Sequence, residues 1–445
     1  MKRLAMLALL LAVAAAHAAP IEPVAPPQTQ PLVIRNATLH TIAGPVLAGG
    51  SLLVERGRIV AVAAAGQPLP APSAPALTID LAGKHLYPGF IGANTTLGLS
   101  EISAVAATVD STESGAINPN ARALTSINAD SDLIGVTRAG GVLAALVVPQ
   151  VRAGGIAGTS AFVQLDGWDW EQMAIVPELG LHVALPSLRL NAAMLSGTLA
   201  PFADELRRFT AQRLRQIDEA FDAAAAYARA RAADPALPAD QRWEAMRAVF
   251  AEGASRRPVF VQANEIAQIR HALALAERHA LLLVIVGGAD AWRVAELLKA
   301  RDVPVIIAGV HRLPLRRDDD VDAPFRLAAQ LAAAGVRFAI ARGAAGAASA
   351  NERLLPLEAA TAVAHGLPRE EALKAITLYP AQILGVADRL GSLEAGKLAN
   401  FIVTDGDPLE TKTRIERLYV QGREVSAANR QTQLVDRYRE RPVQP

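Results

Sequence analysis

The middle of the chain alternates short apolar runs with longer amphipathic stretches, and this alternation limits the possible folds more than any other feature. Six runs have the length and composition of buried strands: Val142–Val148, Ala161–Leu165, Val259–Ala263, Leu281–Val286, Val303–Ala308 and Val336–Ala341. Helical periodicity lies between several of them, in Glu265–His279, Asp290–Ala300 and Asp322–Ala334. Strands without a polar face that alternate with helices indicate a parallel sheet covered on both sides.

The predicted fold class is α/β, and the length of the alternating region selects the architecture within it. Residues 86–385 have the size of a (β/α)8 TIM barrel with insertions. A long Ala/Arg-rich helix, about 201–232, and a second helix from Asp240 are predicted to form one insertion. A doubly wound open sheet is the alternative, but Gly-x-Gly-x-x-Gly follows none of the apolar runs.

The two ends of the chain are rich in strand signals of a different kind. Leu52–Val54 and Ile59–Val62 flank Gly57 and predict a β-hairpin, and Leu418–Val425 predicts a second one after the strand 400–404. We therefore expect a small β-sandwich domain built from both chain ends, with boundaries at 32–85 and 386–428. Residues 429–445 are predicted to form a C-terminal tail.

The first residues have the pattern of a secretory signal peptide. Lys2 and Arg3 precede the apolar run Leu4–Ala16, and Ala16-His17-Ala18 resembles a cleavage site. The alternative is a short buried helix. The expectation is a signal peptide over 1–18, a Pro-rich linker over 19–31 and a periplasmic or extracellular mature protein. No other apolar run reaches the roughly 20 residues of a membrane span.

Charge and cysteine content exclude several classes of function. Lys and Arg number 44 against 43 Asp and Glu, without a block of one sign, so no nucleic-acid partner is expected. The chain has no Cys, which excludes disulfides, cysteine-based zinc sites and thiol nucleophiles.

Two groups of motifs resemble those of a known protein family. Tyr87-Pro88-Gly89-Phe90-Ile91 is similar to the "PGFID-x-H-x-H" motif that ends the first barrel strand of the amidohydrolase superfamily. Thr377 with Pro380-Ala381, Leu384-Gly385 and 391–397 (GSLEAGK) is similar to a stretch of its imidazolonepropionase-like members. This resemblance implies a TIM barrel with a composite β domain and hydrolysis of C–N bonds other than ordinary peptide bonds. It also implies zinc or another divalent metal.

The residues that the family uses as metal ligands are replaced in this sequence. By the resemblance, the ligand-equivalent positions fall on amides, a hydroxyl and glycines: Asn94, Thr96, Gln262, Gly287 and Gly343. The chain has no Lys between Lys84 and Lys299, so a bridging lysine on strand four is excluded. Amide and hydroxyl oxygens do not replace imidazole and carboxylate as transition-metal ligands. We therefore predict no cofactor, and catalytic residues remain unassigned.

Other polar residues follow the predicted strand ends and are candidates for the rim of a pocket. They are Glu101, Asp110, His182, His311 and Arg342. Three functions stay open: a non-catalytic partner or scaffold, an active C–N hydrolase of cyclic amides or dipeptides with an unconventional site, and a protein that binds a small peptide or heterocycle. The expected partner is a catalytically active paralogue or a second copy of the chain.

Overall fold

The computed structural model describes residues 24–189, 202–344 and 346–441. The predicted signal peptide, 1–18, and the start of the predicted linker, 19–23, lie outside the described residues. Within the described parts, no helix combines the length and the apolar composition that crossing a bilayer requires.

Strands from both ends of the chain form one eight-stranded sheet. Its order is β16-β15-β14-β5-β1-β2-β3, and β4 pairs with β1. The strands are β1 (Leu32–His40), β2 (Val46–Glu55), β3 (Arg58–Ala63), β4 (Leu77–Asp80), β5 (His85–Pro88), β14 (Phe401–Thr404), β15 (Ile415–Val420) and β16 (Arg423–Val425). Because β14 pairs antiparallel with β5, the two chain ends are joined by backbone hydrogen bonds.

Both predicted hairpins are present, and their turns have the same backbone conformation. Arg56 and Gly57, between β2 and β3, have φ values of 50° and 76°. Gln421 and Gly422, between β15 and β16, have φ values of 48° and 69°. Two successive positive φ angles match the right-handed twist of paired strands, and glycine adopts them without strain.

The second eight-stranded sheet is the barrel, and its strands follow one another in chain order. They are β6 (Phe90–Thr95), β7 (Val142–Val147), β8 (Gly155–Gln164), β9 (Ala174–Ala184), β10 (Val259–Ala263), β11 (Leu283–Gly287), β12 (Val305–Ala308) and β13 (Phe338–Ala341). The last strand packs beside the first, so the sheet is nearly closed. The predicted α/β class, with a TIM-type barrel and an additional β domain, is confirmed.

One strand of the barrel runs against the others. β8 pairs antiparallel with both β7 and β9, whereas the pairs from β9 to β13, and β6 with β7, are parallel. All ten residues of β8 are buried, as in a parallel strand. The hydrophobic pattern of β8 therefore does not reveal its direction. The expected alternation of strand and helix is interrupted at this strand.

Most of the described helices pack around the outside of the barrel. The helices are α1 (Asp132–Ala139), α2 (Trp170–Met173), α3 (Ala203–Ala233), α4 (Gln241–Met246), α5 (Ile266–His279), α6 (Ala295–Ala300), α7 (Ala323–Ala334), α8 (Leu355–Ala364), α9 (Arg369–Ala375), α10 (Leu378–Ile383) and α11 (Arg430–Arg439). Short 3-10 helices occur at Ala106–Thr108, Leu124–Ser126, Arg247–Phe250, Gly253–Ser255, Ala291–Val294 and Ser349–Leu354. The predicted insertion is α3 with α4, and α3 packs on β8, burying Ile217 and Phe221.

Alternate residues of the barrel strands belong to two different cores. On β10, Val259 and Val261 pack toward the helices, whereas Phe260 joins the interior of the barrel. On β6, Phe90 faces outward and Ile91 inward. Side chains therefore alternate with a period of two between the barrel interior and the surrounding helices, and this alternation continues to the carboxyl ends of the strands.

A buried ionic cluster joins the barrel to the composite sheet. Asp166, at the end of β8, contacts Arg138 of α1 at 3.2 Å and Arg423 of β16 at 3.0 Å. The Arg138 guanidinium also donates to the carbonyl of Ser426 at 3.1 Å. Since the Asp166 side chain is 2% exposed, water does not screen these contacts.

Candidate functional site

A pocket of about 220 Å³ lies at the carboxyl ends of the barrel strands. Four of the five ligand-equivalent positions predicted from the sequence line it: Asn94, Gln262 and Gly287 lie on three strands, and Gly343 lies two residues after β13. The fifth, Thr96, is buried after β6 and is not among the described lining residues. Four positions that are far apart in the sequence therefore share one cavity, and the site they were predicted to form stays a prediction.

His182 is the imidazole at this pocket, and it lies in the strand-four position. It is 7% exposed, and its ring stacks on Phe260, its neighbour across β9 and β10, at 4.7 Å. Its Nε2 atom is buried and makes no hydrogen bond within the described chain. Burial lowers the pKa of His182 to about 3, so the ring is neutral at physiological pH.

The space beside Gly287 is filled by a neighbouring side chain, that of Asn264. The φ of Gly287 is +95°, a conformation that favours glycine, and a Cβ placed here would lie 2.5 Å from Oδ1 of Asn264. The Asn264 amide thus occupies the space that a strand-six side chain would need. Gln262, on the inward face of β10, adds a second amide and is exposed to the cavity.

Arg342 lines the pocket, but its charge is already balanced. Its Nη1 contacts Oε1 of Glu358, a carboxylate on α8 whose side chain is fully buried. Glu358 also accepts hydrogen bonds from the backbone N–H groups of Val310 and His311, the latter at 2.8 Å. The ion pair therefore fixes Arg342 and the start of the loop after β12 together.

Arg312, on that same loop, is a pocket residue that sequence reasoning missed. Its Nε donates to the carbonyl of Gly309 at 3.1 Å, and it forms no ion pair within the described chain. Burial lowers its pKa, while Asp290 and Asp319 oppose that shift. Both of these aspartates contact Arg316 instead, Asp290 at 2.7 Å.

The remaining rim candidates lie away from the pocket. Asp110 is exposed, and Glu101 lies in the loop after β6 with one buried oxygen that no described group bonds. Both ring nitrogens of His311 have partners: Nε2 lies 2.6 Å from the hydroxyl of Thr361, and Nδ1 lies 3.3 Å from the carboxylate of Glu358. None of the three is among the described lining residues.

The described residues do not fit the divalent metal that the family implies. The lining includes a single imidazole, His182, and no carboxylate. Across residues 24–189, 202–344 and 346–441, no three His, Asp or Glu side chains are grouped so that they could hold a metal ion. A transition-metal site needs three or four such donors. Apart from that imidazole, the polar side chains of the lining are amides and guanidinium groups, and a guanidinium cannot bind a cation.

A second buried carboxyl, Glu352, lies behind the pocket rather than in it. It belongs to the 3-10 helix after β13, and its Oε1 lies 2.7 Å from a Cβ placed on Gly92 of β6. Burial raises the pKa of Glu352 to about 8, because the nearby Thr95 hydroxyl and Arg342 offset only part of the desolvation. Its sequence surroundings, Asn351 and Arg353, gave no sign of burial.

Three comparisons connect this architecture to known proteins. The model of the amidohydrolase family matches residues 274–428. The chain is 38% identical over 72 residues to amidohydrolase tasK of Hapsidospora irregularis, which is 16% of this chain and 7% of that protein. It is 54% identical over 37 residues to imidazolonepropionase of Erwinia tasmaniensis, 8% of this chain and 9% of that enzyme. The matches thus span less than a tenth of either curated relative.

A solved structure extends the likeness to the whole fold. An amidohydrolase from Thermotoga maritima superposes with a TM-score of 0.75 at 25% identity, over 89% of this chain and 99% of that one. The two proteins thus share a barrel with a composite sheet over nearly their whole length. The family match over residues 274–428 and the shared fold agree with the resemblance to the amidohydrolase superfamily that the sequence motifs indicated.

Proposed function

We propose that this chain is a non-catalytic member of the amidohydrolase superfamily that binds a small molecule in the mouth of its barrel. One observation carries the proposal: the family's ligand positions form a pocket lined by amides, glycines and arginines, with no described carboxylate. Concave sites with a few convergent polar groups are typical of small-molecule binding.

The loss of metal ligands argues against hydrolysis by the usual family route. Metal coordination lowers the pKa of water from 15.7 to about 7 and thereby makes hydroxide at neutral pH. Asn94 and Gln262 offer neutral amide oxygens at two of the positions concerned, and Gly287 offers no side chain. Water in this pocket would keep a high pKa.

The described titratable groups also argue against a metal-free hydrolase. A general base works best when its pKa lies near the working pH, and burial holds that of His182 near 3. Glu352 has a pKa closer to neutrality but is fully buried and does not line the pocket. The pocket is therefore equipped to bind, and poorly equipped to move protons.

The proposal includes export and a partner, both of which rest on the sequence. We propose that the chain is secreted with removal of residues 1–18, and that it acts beside a catalytically active paralogue or a second copy of itself. N-terminal sequencing of protein from the cell envelope should begin at Ala19. An intact Met1 on protein from the cytoplasm would contradict export.

Metal analysis combined with hydrolysis assays tests the main proposal. After dialysis the protein should hold far less than one zinc, manganese or iron per chain. It should also leave dipeptides, hydantoins and cyclic imides intact with or without added Zn²⁺. Stoichiometric zinc, with hydrolysis abolished by chelation, would overturn the proposal. His182→Ala and His311→Ala would then show whether these residues are the ligands.

A further inference from the structure

We propose that the pocket selects molecules bearing a carboxylate, and that Arg312 is the residue that holds this group. The inference deepens the proposed function and rests on it, since it assumes that the barrel mouth binds a small molecule. It assigns a ligand class and a specificity-determining residue to the loop after β12.

The charges around the pocket favour an anion. Two guanidinium groups, Arg312 and Arg342, line it, and no carboxylate does so among the described residues. Arg342 contributes little net attraction, because its partner Glu358 is buried beside it. Arg312 forms no ion pair within the described chain, although Asp290 and Asp319 lie near enough to act on its charge.

Arg312 is partly dehydrated and yet unpaired. Within the described chain its side chain makes one hydrogen bond, from Nε to the carbonyl of Gly309. Its two terminal nitrogens make none there. A half-buried guanidinium without an acceptor is unfavourable. A ligand carboxylate would bind these nitrogens through charge-assisted hydrogen bonds, for which the planar fork of arginine is well suited.

The loop presents this side chain from a fixed position. Its first residues are bonded to Glu358, and Arg316 further along is bonded to Asp290, whose side chain is 2% exposed. Positioning the guanidinium before the ligand arrives reduces the entropy lost on binding. Arg312 thus has the geometry of a preformed anchor.

A second cavity on the other side of Arg312 does not compete for the same ligand. The lining of that cavity, of about 350 Å³, includes four aspartates and three arginines, Arg312 among them, so unlike the barrel mouth it is not cationic overall. In the barrel mouth, by contrast, His182 offers a neutral ring with an unbonded Nε2. We infer that the carboxylate binds at Arg312 while a polar atom of the ligand body reaches His182.

Matched acids and amides test this assignment directly. The probes are N-acetylglycine, N-acetylalanine, N-acetylproline and N-acetylhistidine, each against its primary amide, with dissociation constants from isothermal titration calorimetry. At least one acid should bind the native protein tenfold or more tightly than its amide. Arg312→Gln should weaken that acid by about 10- to 100-fold, leave the amide unchanged and so remove the preference. Arg312→Lys should restore part of it.

Arg317→Gln is the matched control, because Arg317 is an exposed arginine on the same loop that does not line the pocket. It removes the same charge and should leave the preference intact. Equal binding of acids and amides, no binding of either series at 10 mM, or equal weakening by both arginine variants would each overturn the assignment. None of these results bears on retained zinc or hydrolysis, so a failure here is distinguishable from a failure of the proposed function.

Discussion

Glu352→Gln should make the protein more stable at neutral and alkaline pH, although it removes a native side chain from the core. The pKa of Glu352 is raised by burial from 4.5 to about 8. The folded protein therefore keeps a proton that the unfolded chain releases above pH 4.5. A group whose pKa is raised on folding contributes full stability below its unfolded pKa, and this contribution is lost as the pH rises through the folded value.

The size of the effect follows from that shift. For each pH unit between 4.5 and 8, the free energy of unfolding falls by about 1.36 kcal/mol. From pH 5 to pH 7 the native protein should therefore lose about 3 kcal/mol that the glutamine variant keeps. Glutamine preserves the shape and carries no titrating group, so the difference between the two proteins isolates Glu352.

Urea unfolding at pH 5, 6, 7 and 8, followed by circular dichroism, measures this difference. The curves of native protein and Glu352→Gln should diverge with rising pH, with the variant more stable at pH 8. Glu370→Gln, at an exposed position, is the control and should follow the native protein. If Glu352 were instead ionised against Arg342, the variant would be less stable at pH 7. Parallel curves, or that reversal, would refute the reasoning.

Two further substitutions test the other buried polar groups. His182→Phe keeps the stack on Phe260 and removes an unbonded nitrogen, so the variant should gain about 1–3 kcal/mol at pH 7. Because the pKa of His182 is lowered on folding, native stability should fall as the pH drops from 6.5 toward 3. That fall should be smaller in the variant, in the same urea series. Asp166→Ala should cost about 3–5 kcal/mol, since it removes the buried carboxylate that contacts both Arg138 and Arg423. A loss below about 1 kcal/mol, measured against exposed Asp436→Ala, would contradict this.

Much of the fold could be predicted from the sequence because burial and periodicity are local signals. The runs at Val259–Ala263 and Val336–Ala341 became β10 and β13, and Gly57 lies in the expected turn. Strand direction could not be predicted at β8, because a strand buried on both faces has the same composition whichever way it runs.

The sequence motifs selected residues that share one pocket, but not all the residues that line it. Motif resemblance located Asn94, Gln262 and Gly287, which the fold brings together. It could not identify Arg312 or Glu352, because their roles depend on which neighbours are absent or buried. Glu265, which follows β10 closely, does not line the pocket; it caps α5 and accepts a hydrogen bond from Ser187.

The pairing of β5 with β14 cannot form until the ribosome has synthesised the C-terminal part of the chain. Leu86 and Val403 are partners in the sheet, yet about 300 residues of chain separate them. At roughly 5–20 residues per second of synthesis, one edge of β5 waits some 15–60 s for its neighbour. During that interval the strand is an open template for other chains. A protein fragment that ends before Phe401 would lack β14 and leave this edge of β5 unpaired. We therefore expect such fragments to aggregate.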